Sequence, residues 1–179
     1  MLRMPCMLRA NLATFSYSRG QGAREKSPRF FKCFLRWMEP FHMHVAVTPQ
    51  RCTIEPMDAG LYIAIFMLPK RSHVRIGAFG SFTFPAGVYL YVGSAQRNLM
   101  ARIERHGRRN KPLRWHIDYL SAKARMLGAI LVPGSRRQEC SLARKVAALA
   151  PRIVLGFGSS DCGCEGHLFY AGPSLDCVG

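Results

Sequence analysis

Apolar and polar positions change their rhythm several times along this chain, and each change marks an element. Residues 61–68 (LYIAIFML) form an unbroken apolar run closed by Pro69, the pattern of a buried strand. Two short strand patterns, 73–76 and 81–84, flank a turn near Gly77 and Gly80 and predict a hairpin. Pro85, Ala86 and Gly87 break the chain, and 88–92 (VYLYV) restart as a strand. There Val88, Leu90 and Val92 are expected to face the interior, with Tyr89 and Tyr91 sharing the other face. Strands this close in sequence pair antiparallel. The period then lengthens. Leu99, Ile103 and His106 recur at helical spacing as far as Gly107 and Pro112, and Trp115, Tyr119 and Ala122 mark one face of a second helix over 115–125. A strand over 126–132 ends at Pro133 and Gly134. Leu142, Val146 and Leu149 place a third helix over 138–149, with Pro151 as its stop, and a loop over 156–166 leads to a short strand at 167–171. The expectation is an α+β domain with a small, mainly antiparallel sheet flanked by three helices.

Ahead of this pattern the rhythm is lost. Residues 1–56 mix Arg, Ser, Pro, Phe and Met without a sustained period, and are expected to be a basic, unordered extension. They suit a transit-like leader or an over-extended reading frame, with Met38, Met43 and Met57 as internal starts. The folded domain is assigned to 57–173 and a tail to 174–179. No apolar run in the extension reaches the length of a membrane span, so no membrane partner is expected. A cytoplasmic, nucleoid-associated location is expected, with organelle import as the alternative.

Charge narrows the partners. The net charge is +16, and residues 1–50 hold eight basic side chains against two acidic ones. Such an excess suits a polyanion, because lysine and arginine release the counterions condensed on phosphates; a membrane surface or a ribosome would suit it as well. Within the domain, Arg97, Arg102, Arg105, Arg108, Arg109, Lys111 and Arg114 face only one acid, Glu104, across 97–114. That density reads as a phosphate-contacting surface rather than an ordinary solvated face. Seven cysteines without a secretion signal argue against a disulfide framework and for a reducing compartment.

One ordered set of residues turns the outline into chemistry. Gly60-Leu61-Tyr62 opens the first strand, Tyr91-Val92-Gly93 follows the hairpin, Arg102 and His106 lie on the first helix, and Glu139 begins the third. The set resembles the GIY-YIG nuclease superfamily. More narrowly, the chain is similar to a GIY-YIG-related family sometimes fused to endonuclease-III-type DNA glycosylases. That likeness rests on Gly87-Val88-Tyr89, Arg105-His106, Trp115-His116-Ile117-Asp118-Tyr119-Leu120, Glu139-Cys140 and the segment 161–170 (DCGCEGHLFY). It covers 58–171. It implies a metal-dependent endonuclease of DNA repair or recombination, with Tyr62, Tyr91, Arg102, His106 and Glu139 as the catalytic set. Glu139 would hold Mg²⁺ (or Mn²⁺), the substrate would be DNA, branched or damaged, and a repair glycosylase would be the partner. The chain departs from the superfamily in two respects: an inserted hairpin over 69–86 separates the motif halves, and histidine replaces a tyrosine common at position 106.

The chemistry also has a physical rationale. Phosphodiester hydrolysis needs an oriented water, neutralised phosphoryl oxygens and help for the leaving oxygen. Tyr62, its proton loosened by nearby cations, would activate the water, with Tyr91 positioning it. Arg102 would clamp the phosphate and His106 would bond the leaving group or the water. Simpler roles exist for the same residues. Both tyrosines suit a core edge, Glu139 suits a first helical turn, and Trp115 is expected in the core. His116 and Asp118 suit a surface pair or a supporting shell. A non-catalytic nucleic-acid-binding module is the alternative function, and a zinc-stabilised interaction domain a third. Cys162, Cys164 and His167 present two thiols and an imidazole within six residues, and Cys140 would complete four ligands for structural Zn²⁺.

Overall fold

A computed structural model describes residues 58–150 and 152–173. The expected extension over 1–56, the helix stop at Pro151 and the tail over 174–179 lie outside the described residues. In chain order the elements are β1 (Gly60–Leu68), β2 (Ser72–Ile76), β3 (Gly80–Phe84), β4 (Gly87–Ala95), α1 (Leu99–Gly107), α2 (His116–Ser121), β5 (Arg125–Val132), α3 (Glu139–Leu149), β6 (Arg152–Ile153) and β7 (Leu168–Gly172). The main sheet has the order β5-β1-β4-β7-β6 and is antiparallel throughout, while β2 and β3 pair only with each other. The architecture is α+β with three helices, as the periodicities predict.

β1 and β4 run together from Gly60 opposite Ala95 to Leu68 opposite Gly87. Successive side chains of a strand alternate between faces. Tyr62, Ala64, Phe66 and Tyr89 therefore lie on one face, in a core with Leu99 of α1, Ile117 and Leu120 of α2, and Val74 and Ile76 of the hairpin. Leu61, Ile63, Ile65, Val88, Leu90 and Val92 lie on the other, under Leu142, Ala143 and Val146 of α3. Cover on both faces is why these strands read as continuous apolar runs. It also amends the expectation for β4: Tyr89 is as buried as Leu90, so the strand has two interiors.

Three other boundaries differ from expectation. α2 stops at Ser121, because the amides of Lys123 and Ala124 turn back to the carbonyl of Leu120 and Arg125 enters the ladder opposite Met67. Pairing with β1 overrides a helical pattern that continues in the sequence. Trp115 precedes α2 and is 38% exposed, so it is not a core residue. β6, only two residues long, carries too little pattern to be foreseen. Among the described residues, no helix is long and apolar enough to cross a membrane.

Candidate active site

The tyrosines meet at the end of the sheet where β1 begins. Register sets Tyr62 opposite Gly93 and Tyr91 opposite Ala64, so the two phenols are diagonal neighbours with ring centroids 6.4 Å apart. Gly93 is required by this packing: a Cβ there would lie 2.5 Å from Tyr62 Oη. Replacing it should push the ring aside. Gly93→Ala is expected to destabilise the domain by about 1–3 kcal/mol, read from the denaturant midpoint; an unchanged midpoint would remove this explanation of the glycine.

α1 supplies the next two groups. Asp58, just before β1, accepts the amide of Asn98 and offers its carbonyl to the amide of Leu99, fixing where the helix starts. Arg102 and His106, four residues apart, then share one helix face. His106 is buried, and its Nε2 lies 2.8 Å from Tyr62 Oη. The charge of Arg102 acts on the same phenol, and its guanidinium stacks over Trp115, 4.8 Å from the ring centroid. Burial decides the protonation states. It raises the Tyr62 phenol well above its usual range, against the lowering effect of Arg102. It does the same to Tyr91. Burial, helped by the charge of Lys111, lowers His106 to about 3. The pair is thus a neutral phenol and a neutral imidazole near pH 7. The expectation that nearby cations loosen the Tyr62 proton is reversed, because desolvation outweighs them. His106 Nδ1 is buried without a hydrogen-bond partner.

Two groups expected on the basic surface are internal. Asp118, fully buried, accepts both Arg105 Nη1 and Nη2 at 2.8 and 3.0 Å, and the amides of Arg114 and Trp115 at 2.9 and 3.0 Å. Lys111, 3% exposed, lies 3.5 Å from the same carboxylate and donates to the carbonyls of Arg105 and His106 and to Ser121 Oγ. Arg105 and Lys111 therefore brace α1 against α2 and are not free to meet phosphates. Arg97, Arg108, Arg109 and Arg114 remain exposed, although Arg108 lies 4.0 Å from Glu104. His116 is a support as well. It stacks on Phe79 at 4.5 Å, and its Nδ1 accepts the amide of Gly158. Gly158, at φ +73, stands where a Cβ would come 3.0 Å from the Tyr91 ring.

Glu139, the first residue of α3, faces this group from across the sheet end, and its charge acts on both Tyr62 and Tyr91. Its Oε1 lies 2.9 Å from Nδ1 of His167, out of line for a directed hydrogen bond. Burial alone would lower the pKa of His167, but Glu139 and Cys140 together outweigh it and the pKa is raised. Glu139 opens onto a groove of about 740 Å³ also lined by Gln96, Ser135, Arg136, Arg137 and Asp161. Arg136 and Asp161 form an ion pair on its rim. Sequence reasoning did not place these residues at the site, since they carry no periodicity and come from three separate segments; Asp161 entered it only within the likeness over 161–170.

A family model described as "Domain of unknown function DUF123" matches residues 61–178. The chain belongs to that family. Neither a curated protein nor a solved structure matches. The DUF123 match takes in every site residue described here, from Tyr62 to His167. Tyr62, Tyr91, Arg102, His106 and Glu139 are thus brought together by one end of the sheet and the two helices that begin beside it. The cysteines expected near Glu139 are also there: ligand atoms of Cys140, Cys162, Cys164 and His167 lie within 4.8 Å of one another.

Proposed function

We propose that this DUF123 domain is a metal-dependent endonuclease of the GIY-YIG type that hydrolyses DNA phosphodiester bonds. One observation carries the reading. The Tyr62 hydroxyl is hydrogen-bonded to His106 and lies in the fields of Arg102 and Glu139, and Glu139 opens onto a groove rimmed by arginines. Tyr62 of β1, Tyr91 of β4, Arg102 and His106 of α1 and Glu139 of α3 supply the side chains of this group.

The donor set suits a hard cation. Glu139 is a half-buried carboxylate on the groove, with further oxygens from Asp161, Gln96 and Ser135 around it, and Mg²⁺ prefers oxygen ligands while keeping several waters. Held by Glu139, Mg²⁺ (or Mn²⁺) would neutralise phosphoryl charge and order the attacking water. The protein's own residues do the rest. Arg102, kept in plane by Trp115, binds the phosphate through its fork of donors. Tyr62 stays protonated at rest, so it takes a proton from water only as it passes its own to Nε2 of neutral His106. Gly93 leaves room for the Tyr62 ring, and Gly158 lies against Tyr91.

The test is incubation of the full chain with supercoiled, linear and branched DNA, with and without Mg²⁺. Nicking that needs the metal is expected, and Tyr62→Phe should slow it about 10²-fold with unchanged folding. The burial of Tyr62, 1% exposed, favours a second reading, a nucleic-acid-binding module that partners a repair enzyme such as a glycosylase. Tight binding without cleavage on all three substrates would replace the first reading with it.

A further inference from the structure

The loop between β6 and β7 is long for so small a domain. It runs over 154–167 with no helix or strand, and connections of that length are usually functional when ordered. A few backbone bonds shape it: the Gly156 amide to the Glu165 carbonyl, the Cys162 amide to the Ser159 carbonyl, and the His167 amide to the Phe157 carbonyl. It brings Cys162, Cys164 and His167 to the first turn of α3, where Cys140 waits. All three cysteines are free thiols and partly buried, and His167 is 1% exposed. A thiol-rich pocket between a loop and a helix has little to gain from hydrophobic contact alone, since the imidazole within it carries polar nitrogens.

We propose that Cys140, Cys162, Cys164 and His167 bind one zinc ion as a closed structural site, with Glu139 as the outer partner of His167. The spacing fits the ion. Tetrahedral zinc, with bonds of about 2.3 Å to sulfur and about 2.0–2.1 Å to nitrogen, puts neighbouring sulfur and nitrogen about 3.5–3.6 Å apart. Cys162 Sγ lies 3.6 Å from His167 Nε2. All four ligand atoms fall within 4.8 Å of one another, which small side-chain adjustments close to that tetrahedron. Three thiolates and an imidazole are a soft set that selects zinc over magnesium, and four protein ligands leave no open position for chemistry.

His167 uses both nitrogens in this arrangement. Zinc on Nε2 leaves the hydrogen on Nδ1, and Nδ1 is the buried atom 2.9 Å from Glu139 Oε1. A carboxylate behind a ligating histidine fixes the ring's orientation and tautomer. Read from the other side, the zinc site holds the Glu139 carboxylate from behind. The loop and helix are thereby tied together at the residue that opens the groove. The site stands independently of the nuclease reading, because its occupancy is measured without substrate.

Metal analysis of the full chain, purified without added metal, is expected to give about one zinc per chain. Cys162→Ser and Cys164→Ser should each lower this to about a tenth or less, whereas Cys6→Ser and Cys33→Ser should leave it intact. Where the serine variants fail to fold, chelated wild type reloaded with Co²⁺ gives the same answer. Intense visible bands with cysteinate-to-cobalt charge transfer are expected, as for a tetrahedral site. His167→Cys should keep the metal while losing the link to Glu139. Less than about a tenth of an ion in wild type together with weak octahedral cobalt bands would overturn the site. So would iron in place of zinc, or a disulfide among these three cysteines in protein isolated from a reducing cytosol.

Discussion

Asp118→Ala is expected to lower folding stability by about 3–5 kcal/mol, the usual cost of removing one partner from a buried ion pair. The carboxylate is fully buried and answers two guanidinium nitrogens, two backbone amides and the Lys111 ammonium. Without it, Lys111 stays in a pocket where it is 3% exposed, and Asp118 is the acid it pairs with among the described residues. Domains have only about 5–15 kcal/mol in total, so the variant should melt far below wild type. The double variant Asp118→Ala/Lys111→Met should recover part of the loss, because the more buried of the two stranded cations is then gone while Arg105, 21% exposed, keeps access to water. Equal stability of single variant and wild type in urea would refute the network's importance.

The same carboxylate predicts a pH dependence. Burial pushes its pKa up, but the Arg105 bonds, the Trp115 and Arg114 amides and the Lys111 charge outweigh burial, and the net shift is downward from 3.8. A group whose folded pKa is depressed adds stability above its unfolded value and loses it as pH falls through the folded value. Wild type should therefore weaken below about pH 3.8, and Asp118→Ala should show a shallower acid limb there. An identical limb in both would assign the acid sensitivity elsewhere.

Glu139→Gln should reduce metal-dependent nicking about 10³-fold, since several kcal/mol of transition-state stabilisation rests on charge brought to the phosphoryl oxygens. The amide keeps the size and one oxygen for His167 but gives up the charge that would hold Mg²⁺. The fold should survive, because Glu139 lies at the first turn of α3 and the helix is anchored by Leu142, Ala143 and Val146. Zinc content should fall far less than activity, which separates the two metals in one variant. Wild-type nicking by Glu139→Gln would sink the magnesium assignment and leave the zinc site untouched.

The legible parts of the molecule were those where one physical constraint dominates. Apolar runs at 61–68 and 88–92 mark strands with cover on both faces, and the spacing of Leu99, Ile103 and His106 marks a helix whose inner edge carries the site. Gly93 could be named as part of a motif, but its reason needed register: only the pairing shows that Tyr62 lies across from it. Illegible were features set by tertiary contact. Lys111 looks like its exposed arginine neighbours until Asp118 is found beside it, and Trp115 looks like core until it is seen serving as a plate for Arg102 and Arg105. The end of α2 escaped notice because β1 recruits Arg125 into a strand against the local pattern. Cys140 could be joined to the distant cysteines only as a guess about which loop meets which helix.

The β2–β3 hairpin stands between two strands that pair as if it were absent. Every residue from Gly60 to Leu68 finds its partner on β4 regardless of the detour. Lengthening a connection is cheap, about 0.6 kcal/mol for each doubling, and the hairpin residues compensate by burying Val74, Ile76 and Phe84 of their own. Phe84 packs edge-on against Tyr89 and Phe157, so the detour roofs the face on which the tyrosines lie. Relatives with a shorter or longer connection would differ in what shields the phenols from water, while the phenols themselves kept their places opposite glycine and alanine.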